Sequence, residues 1–152
     1  MENYKIVNGK RMTCGIIISN DYDSILAGHP TGKRYNKECY DFLKGCAEEG
    51  EEDIDCALRE LKEESGIDLK SKKNEIKDLG VFNYNRGKNI HLFLYRVKEF
   101  PNIDYLKCTS YFEGYHGKML PEMNGFRVIK KTERHLFYKA IQVVLKQIKE
   151  LG

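Results

Sequence analysis

The stretch from Gly45 to Ile67 constrains this chain more than any other, because a glycine-bounded loop there runs into one charged segment with a single apolar stripe. From Glu52 to Glu64 there is no Gly or Pro, and Glu, Leu, Lys and Arg dominate, so the spacing predicts a helix. Gly66 follows the last periodic residue, where a left-handed C-terminal cap favours a residue without a Cβ. Ile54, Ala57, Leu58 and Leu61 recur at i, i+3, i+4 and i+7 and form one face to be buried. The helix must therefore lie against an apolar surface.

Its other face carries chemistry. Glu60, Glu63 and Glu64 fall at i, i+3 and i+4, so three carboxylates gather together. Like charges at that spacing repel, a poor choice for stability alone. A hard divalent cation among them would reverse the local electrostatics. With no His or Cys at ligand spacing, the oxygen-only set favours magnesium or manganese over zinc. The plainer alternative is a solvated acidic face, partly compensated by Arg59 and Lys62.

At 152 residues the chain is expected to form a single domain, 1–152, with a core of its own. Hydrophobic residues make up 41% and charged residues 32%, as in a soluble globular protein. A net charge of +3 is too mild to argue for duplex nucleic acid, though it suits local handling of phosphates. The five cysteines (Cys14, Cys39, Cys46, Cys56 and Cys108) are unpatterned. Without an apolar leader or long apolar run, they are expected to be reduced thiols in a cytoplasmic protein with no membrane partner. The histidines (His29, His91, His116 and His135) are scattered and read as structural or exposed.

Along the chain, Tyr4–Val7 and Lys10–Ser19 flank Asn8-Gly9, a strong hairpin signal. Ser24–Ala27 reads as a short returning strand, His29–Arg34 as a turn-rich loop, and Tyr40–Lys44 as a short strand entering the helix loop. Leu79–Tyr84 and Asn89–Val97 form an expected strand pair, and 100–124 reads as irregular. Gly125–Ile129 is a last strand. Glu133–Leu151 reads as a long amphipathic helix through Phe137, Ala140, Ile141, Val144, Leu145 and Ile148. Strands on both sides of a central helix, closed by a second helix, imply an α/β fold with a mixed sheet.

At every fixed position, residues 45–67 resemble the Nudix box, G-x5-E-x7-R-E-U-x-E-E-x-G-U, with U aliphatic. The resemblance implies an α/β/α sandwich, a single Nudix hydrolase domain, and metal-dependent cleavage of a nucleoside diphosphate linked to another moiety. It further implies Mg2+ or Mn2+ held by Glu60, Glu63, Glu64 and the carbonyl of Gly45, with Arg59 orienting the carboxylates through Glu51. Glu60 is implied as a metal ligand or the general base. Glu122, in Pro121-Glu-Met-Asn-Gly-Phe-Arg-Val-Ile129, is a second candidate base. That stretch resembles E-x-D-G-W-R-W-V of RNA 5′-pyrophosphohydrolases, with Asn124 and Val128 departing from it; Glu113 is a weaker competitor.

Tyr84 resembles the aromatic mark of dinucleoside polyphosphate hydrolases and could stack on a base. Tyr40-Asp-Phe-Leu-Lys-Gly45 is similar to the W-D-F-P-K-G entry of the same subgroup, which makes Lys44 a phosphate contact. Lys33 and Arg34 are further phosphate candidates, against the plainer reading as surface charge. The expected substrates are dinucleoside polyphosphates such as diadenosine tri- to pentaphosphate. The alternatives are ADP-ribose, NADH or FAD, RNA 5′ ends, oxidised nucleoside triphosphates and, in another class, non-catalytic nucleotide sensing. Oligomeric state stays open.

Overall fold

The computed structural model describes residues 3–36 and 38–152. Asn8 and Gly9 both take positive φ, 52° and 79°, and turn the short strand β1 (Ile6–Val7) into β2 (Lys10–Ser19) with Val7 opposite Lys10. Then come β3 (Ile25–Pro30), β4 (Lys44–Cys46), α1 (Asp53–Ser65), β5 (Lys77–Asn85) and β6 (Lys88–Arg96). The chain continues through β7 (Tyr111–Glu113), β8 (Met119–Pro121), β9 (Met123–Ile129) and α2 (Lys139–Lys146).

The main sheet runs β5-β6-β2-β3-β9. β2 lies parallel to β6 from Arg11 opposite Lys88 to Ser19 opposite Arg96, while the other neighbours are antiparallel, so the sheet is mixed. Alternation along β2 feeds two cores. Met12, Cys14, Ile16 and Ile18 pack with Ala57, Leu58 and Leu61 of α1. Ile17 joins Ile90, Leu92, Phe137 and the α2 residues Ile141, Val144 and Leu145 on the other face. The fold is the expected α/β/α sandwich.

The other edge of β2 forks. β4 pairs with it at Thr13–Gly15, and β3 touches it only where Ser19 faces Ile25. Gly15 permits the fork, since a Cβ there would lie 2.9 Å from the Cβ of Lys44 and 3.0 Å from the Leu43 carbonyl oxygen. The loop into α1 leaves from this opening.

Four segments differ from their sequence reading. His29 and Pro30 belong to β3 rather than a loop, paired with β9, and the register shifts between them, which suits a residue with no N–H to give. Tyr40 and Asp41 make only single bridges, to Phe137 and Gly28, so the strand into the helix loop begins at Lys44. Within 100–124, β7 and β8 form a small hairpin, turned by His116 and Gly117 at positive φ. The long C-terminal helix is broken: Lys131–Leu136 and Lys149–Leu151 are 3-10 turns, and Phe137 is extended at φ −75° and ψ 154°. Tertiary hydrogen bonds cause the break. The N–H groups of Cys39 and Tyr40 both donate to the Leu136 carbonyl, and Tyr138 N–H donates to the carbonyl of Tyr40. Phe137 is fully buried with its ring tilted against that of Phe42, the ring centres 5.5 Å apart.

Candidate active site

α1 runs from its N-cap Glu52 to Gly66, whose φ of 83° lets its N–H reach back to the Lys62 carbonyl. Beyond it, Thr109 N–H donates to the carbonyl of Glu63 and Lys107 N–H to that of Ser65, which ties the carboxylate-bearing end to the segment before β7. On this fixed scaffold the acidic side chains meet the loop of β4. A Cβ at Gly45 would run into the carboxylate of Glu60. Glycine is therefore required for backbone and carboxylate to share the space.

Arg59 organises the cluster. Its Nε and Nη2 grip both oxygens of Glu51, at 2.9 and 3.0 Å, a planar bidentate pair. Nη1 donates to Glu60 at 2.9 Å and reaches Glu63 at 3.4 Å, while Nη2 also meets the Cys46 carbonyl at 3.3 Å. The guanidinium holds the Glu51 carboxyl below the usual carboxylate range. Glu60 behaves oppositely: burial pushes its carboxyl up to about 7, with Glu63 and Glu122 adding to the push and Arg59 opposing it. Burial also raises Glu64, which is 4% exposed and accepts the Lys44 N–H at 2.8 Å.

A cleft of about 510 Å³ opens over these groups, lined by Lys44, Gly45, Arg59, Glu60 and Glu63 together with Glu122. Glu122 is held there through its backbone, with its N–H on the Ser110 carbonyl and its own carbonyl taking the Thr31 N–H. Lys44 places Nζ 3.0 Å from Asp41 and 5.3 Å from the centre of the Tyr84 ring. Burial alone would push that ammonium down, but Asp41, Tyr84 and Glu64 outweigh it and hold it up. Tyr84 is half-buried behind Lys44, packed against the α2-side core, and does not line the cleft. Lys33 and Arg34 are exposed on the loop after β3, with Lys33 above the Tyr138 ring, and neither lines the cleft. Glu113 is exposed on β7, also away from it.

Tyr4, Glu48 and Lys88 line the cleft too, and the sequence reading passed over all three. Lys88 arrives only because β6 lies parallel to β2, a pairing between distant segments that leaves no local signal. Tyr4 comes in through its bridge to Glu48.

The residues suit a hard divalent cation. The candidate donors are the carboxylates of Glu60 and Glu63, which line the cleft with Gly45, and that of Glu64, which is buried on the Lys44 N–H and does not line it. The Gly45 cradle and the raised Glu60 are what an acidic site shows when a positive charge is needed to balance it. Among the described residues no three such side chains already converge on one point, because Arg59 holds Glu60 and Glu63 while a backbone N–H holds Glu64.

Residues 9–116 match the NUDIX domain family. The chain is 33% identical over 129 residues to an uncharacterized 17.7 kDa protein of the e-segB intergenic region of Enterobacteria phage T4, covering 82% of this chain and 85% of that one. It is similar in structure to the NUDIX domain of Shewanella oneidensis NrtR, solved with ADP ribose, at a TM-score of 0.63 and 11% identity over 96% of this chain and 91% of that one. It is also similar to a bifunctional NMN adenylyltransferase/ADP ribose pyrophosphatase of Francisella tularensis, solved with AMP and Mn ion. There the TM-score is 0.59 at 16% identity, over 97% of this chain but only 44% of that one. At such identities the structural likeness speaks to the fold alone. With its motif whole and matched along most of its length, the chain belongs to the Nudix family of metal-requiring pyrophosphohydrolases, which act on phosphorus anhydrides.

Proposed function

We propose that this chain, as a single domain over 1–152, hydrolyses nucleoside diphosphates linked to another moiety, with dinucleoside polyphosphates such as diadenosine tri- to pentaphosphate as its main substrates. The observation that carries this reading is the composition of one cleft: Lys44 and Lys88 supply cations, and Glu60, Glu63 and Glu122 supply carboxylates. Phosphates need the first set, and a hard cation with a proton acceptor needs the second. Tyr84 supports Lys44 from behind, its ring centre 5.3 Å from the ammonium, and contributes no stacking face to the cleft.

Glu60, Glu63, Glu64 and the Gly45 carbonyl would hold Mg2+ or Mn2+. When bound, the ion offsets phosphate charge and makes water a better nucleophile near neutral pH. Arg59 keeps Glu60 and Glu63 aimed into the cleft while Glu51 fixes the guanidinium from behind. Glu60 serves either as a metal ligand or as the proton acceptor, and Glu122 offers a second acceptor along the same cleft. Lys44 remains protonated and draws the polyphosphate in.

A second reading, ADP-ribose hydrolysis, is favoured by the ADP ribose named for both structural relatives. RNA 5′ ends share the same phosphates. The deciding experiment is product release with Mg2+ or Mn2+ across diadenosine tri-, tetra- and pentaphosphate, ADP-ribose, NADH, FAD, 8-oxo-dGTP and 5′-triphosphorylated RNA. The proposal expects the dinucleoside polyphosphates to give the highest kcat/KM. Preference for ADP-ribose would install the second reading, and a fully folded protein that hydrolyses none would overturn both.

A further inference from the structure

Exposed apolar surface is spread unevenly over this molecule. Of the eleven large apolar side chains exposed among the described residues, six (Ile103, Tyr105, Tyr111, Phe112, Tyr115 and Met119) fall within 103–119. Tyr105 and Tyr115 are 85% and 86% exposed. Apolar side chains gathered in this way, rather than scattered singly, mark an interaction surface. The register of the β7–β8 hairpin orders most of them. Tyr111 lies opposite Pro121 and Glu113 opposite Met119, so these four share one face, while Phe112 and Leu120 share the other. At the foot of the hairpin a pocket of about 470 Å³ brings Ile103 beside Tyr111 and Pro121. At its tip Tyr115 stands next to the turn made by His116 and Gly117.

The hairpin pairs with no strand of the main sheet, and a two-stranded ribbon alone is marginal in water. Its roots are nevertheless fixed. The N–H groups of Lys107 and Thr109 donate to the Ser65 and Glu63 carbonyls of α1, and Glu122 N–H donates to the Ser110 carbonyl. The rings are therefore held ready for a partner, which lowers the ordering cost of binding one.

Charge indicates which partner. Asp104, Lys107, Glu113 and Lys118 are all exposed, and none of them forms an ion pair among the described residues. Two acids and two bases cancel, so the patch lacks the basic track that a polyanion such as RNA requires. An apolar centre with both signs around it, and a pocket at one end with a projecting ring at the other, is complementary to itself. A two-fold contact requires that property.

We propose that this surface binds a second copy of this chain about a two-fold axis. The hairpins pack antiparallel, so that Tyr115 of each copy enters the pocket at the foot of the other, with the acids of each facing the bases of the other. Leaving out Phe112, the apolar side chains of 103–119 expose on the order of 600 Å². That is most of the roughly 800 Å² per partner in a standard interface, before any backbone or polar rim is counted.

The test is sedimentation equilibrium of the intact chain from micromolar to submillimolar concentration. The wild type should pass from one chain mass to two. Tyr115→Ser, which removes the projecting ring, should weaken association by about 5- to 30-fold. Met119→Lys puts an ammonium in the apolar centre, where it can still pair across the hairpin with Glu113, and should weaken association by more than about 10-fold. Both positions are exposed, so both variants should keep the wild-type melting temperature. Hydrogen exchange of the wild type should slow at 103–119 as the concentration rises. A wild type that stays monomeric throughout, or a dimer that both folded variants leave intact, would overturn the assignment. A monomer whose 103–119 amides are protected by single-stranded oligouridylate instead would give the surface to RNA and overturn it equally.

Discussion

Arg59 spends its guanidinium on Glu51, Glu60 and Glu63 at once, a fork geometry that an ammonium cannot reproduce. Arg59→Lys should therefore lower kcat by about 10- to 100-fold, the usual cost of losing a residue that aims metal ligands. Steady-state kinetics beside a thermal melt separates this from unfolding, because the melt should move little. Gly45→Ala makes a sharper case. Its methyl would displace the Glu60 carboxylate, so activity should drop at least as far, with the circular dichroism spectrum unchanged. The meeting of Arg59, Glu60 and Glu63 with Gly45 was legible in the sequence because helical spacing and the adjoining loop are local. Lys88 and Tyr4 were not, since only pairing between distant strands brings them to the cleft.

At the scale of elements, α1 is secured at both ends. Gly66 has φ of 83° and the Lys107 carbonyl oxygen 3.4 Å from where a Cβ would sit, so Gly66→Ala should cost about 1 kcal/mol in urea denaturation. At the other end Asp53 takes Lys5 Nζ at 2.6 Å and His91 Nδ1 at 2.7 Å, with Asp78 on the far nitrogen of His91 at 2.8 Å. Burial alone would raise the Asp53 carboxyl, but Lys5 and His91 outweigh it and hold it below its ordinary value. A carboxyl depressed on folding stabilises the protein above its unfolded pKa, and that contribution disappears as the pH falls through the folded value. Stability should therefore decline from about pH 5 downward. Asp53→Asn should cost about 1–2 kcal/mol at pH 7 and flatten part of that decline in pH-dependent urea curves. The α1 boundaries could be read from its capping glycine and apolar stripe. The C-terminal helix could not, because its periodic pattern is real while Leu136–Tyr138 give their backbone groups to Cys39 and Tyr40 instead.

Across the whole molecule, β2 buries apolar side chains on both faces and so feeds two cores, while the sandwich itself was implied by the resemblance of residues 45–67 to the Nudix box and the mixed sheet by the order of strands and helices. Neither says that β2 forks between β3 and β4, the arrangement that opens the sheet where the catalytic loop leaves. Nor do they show that a hairpin rises within 100–124 and walls a second pocket. The α2-side core is anchored by Phe137, fully buried against Phe42. Phe137→Ala should cost about 3–5 kcal/mol in global unfolding. The most direct measurement is turnover of diadenosine tetraphosphate by the wild type and by Glu63→Gln across a Mg2+ titration. Wild-type turnover should rise with Mg2+ to a plateau, and the variant should fall about 100-fold or more below it throughout, with its melting temperature kept. Hydrolysis without metal, or a folded variant that keeps near-wild-type rates, would contradict the assignment of the α1 carboxylates as the seat of the chemistry.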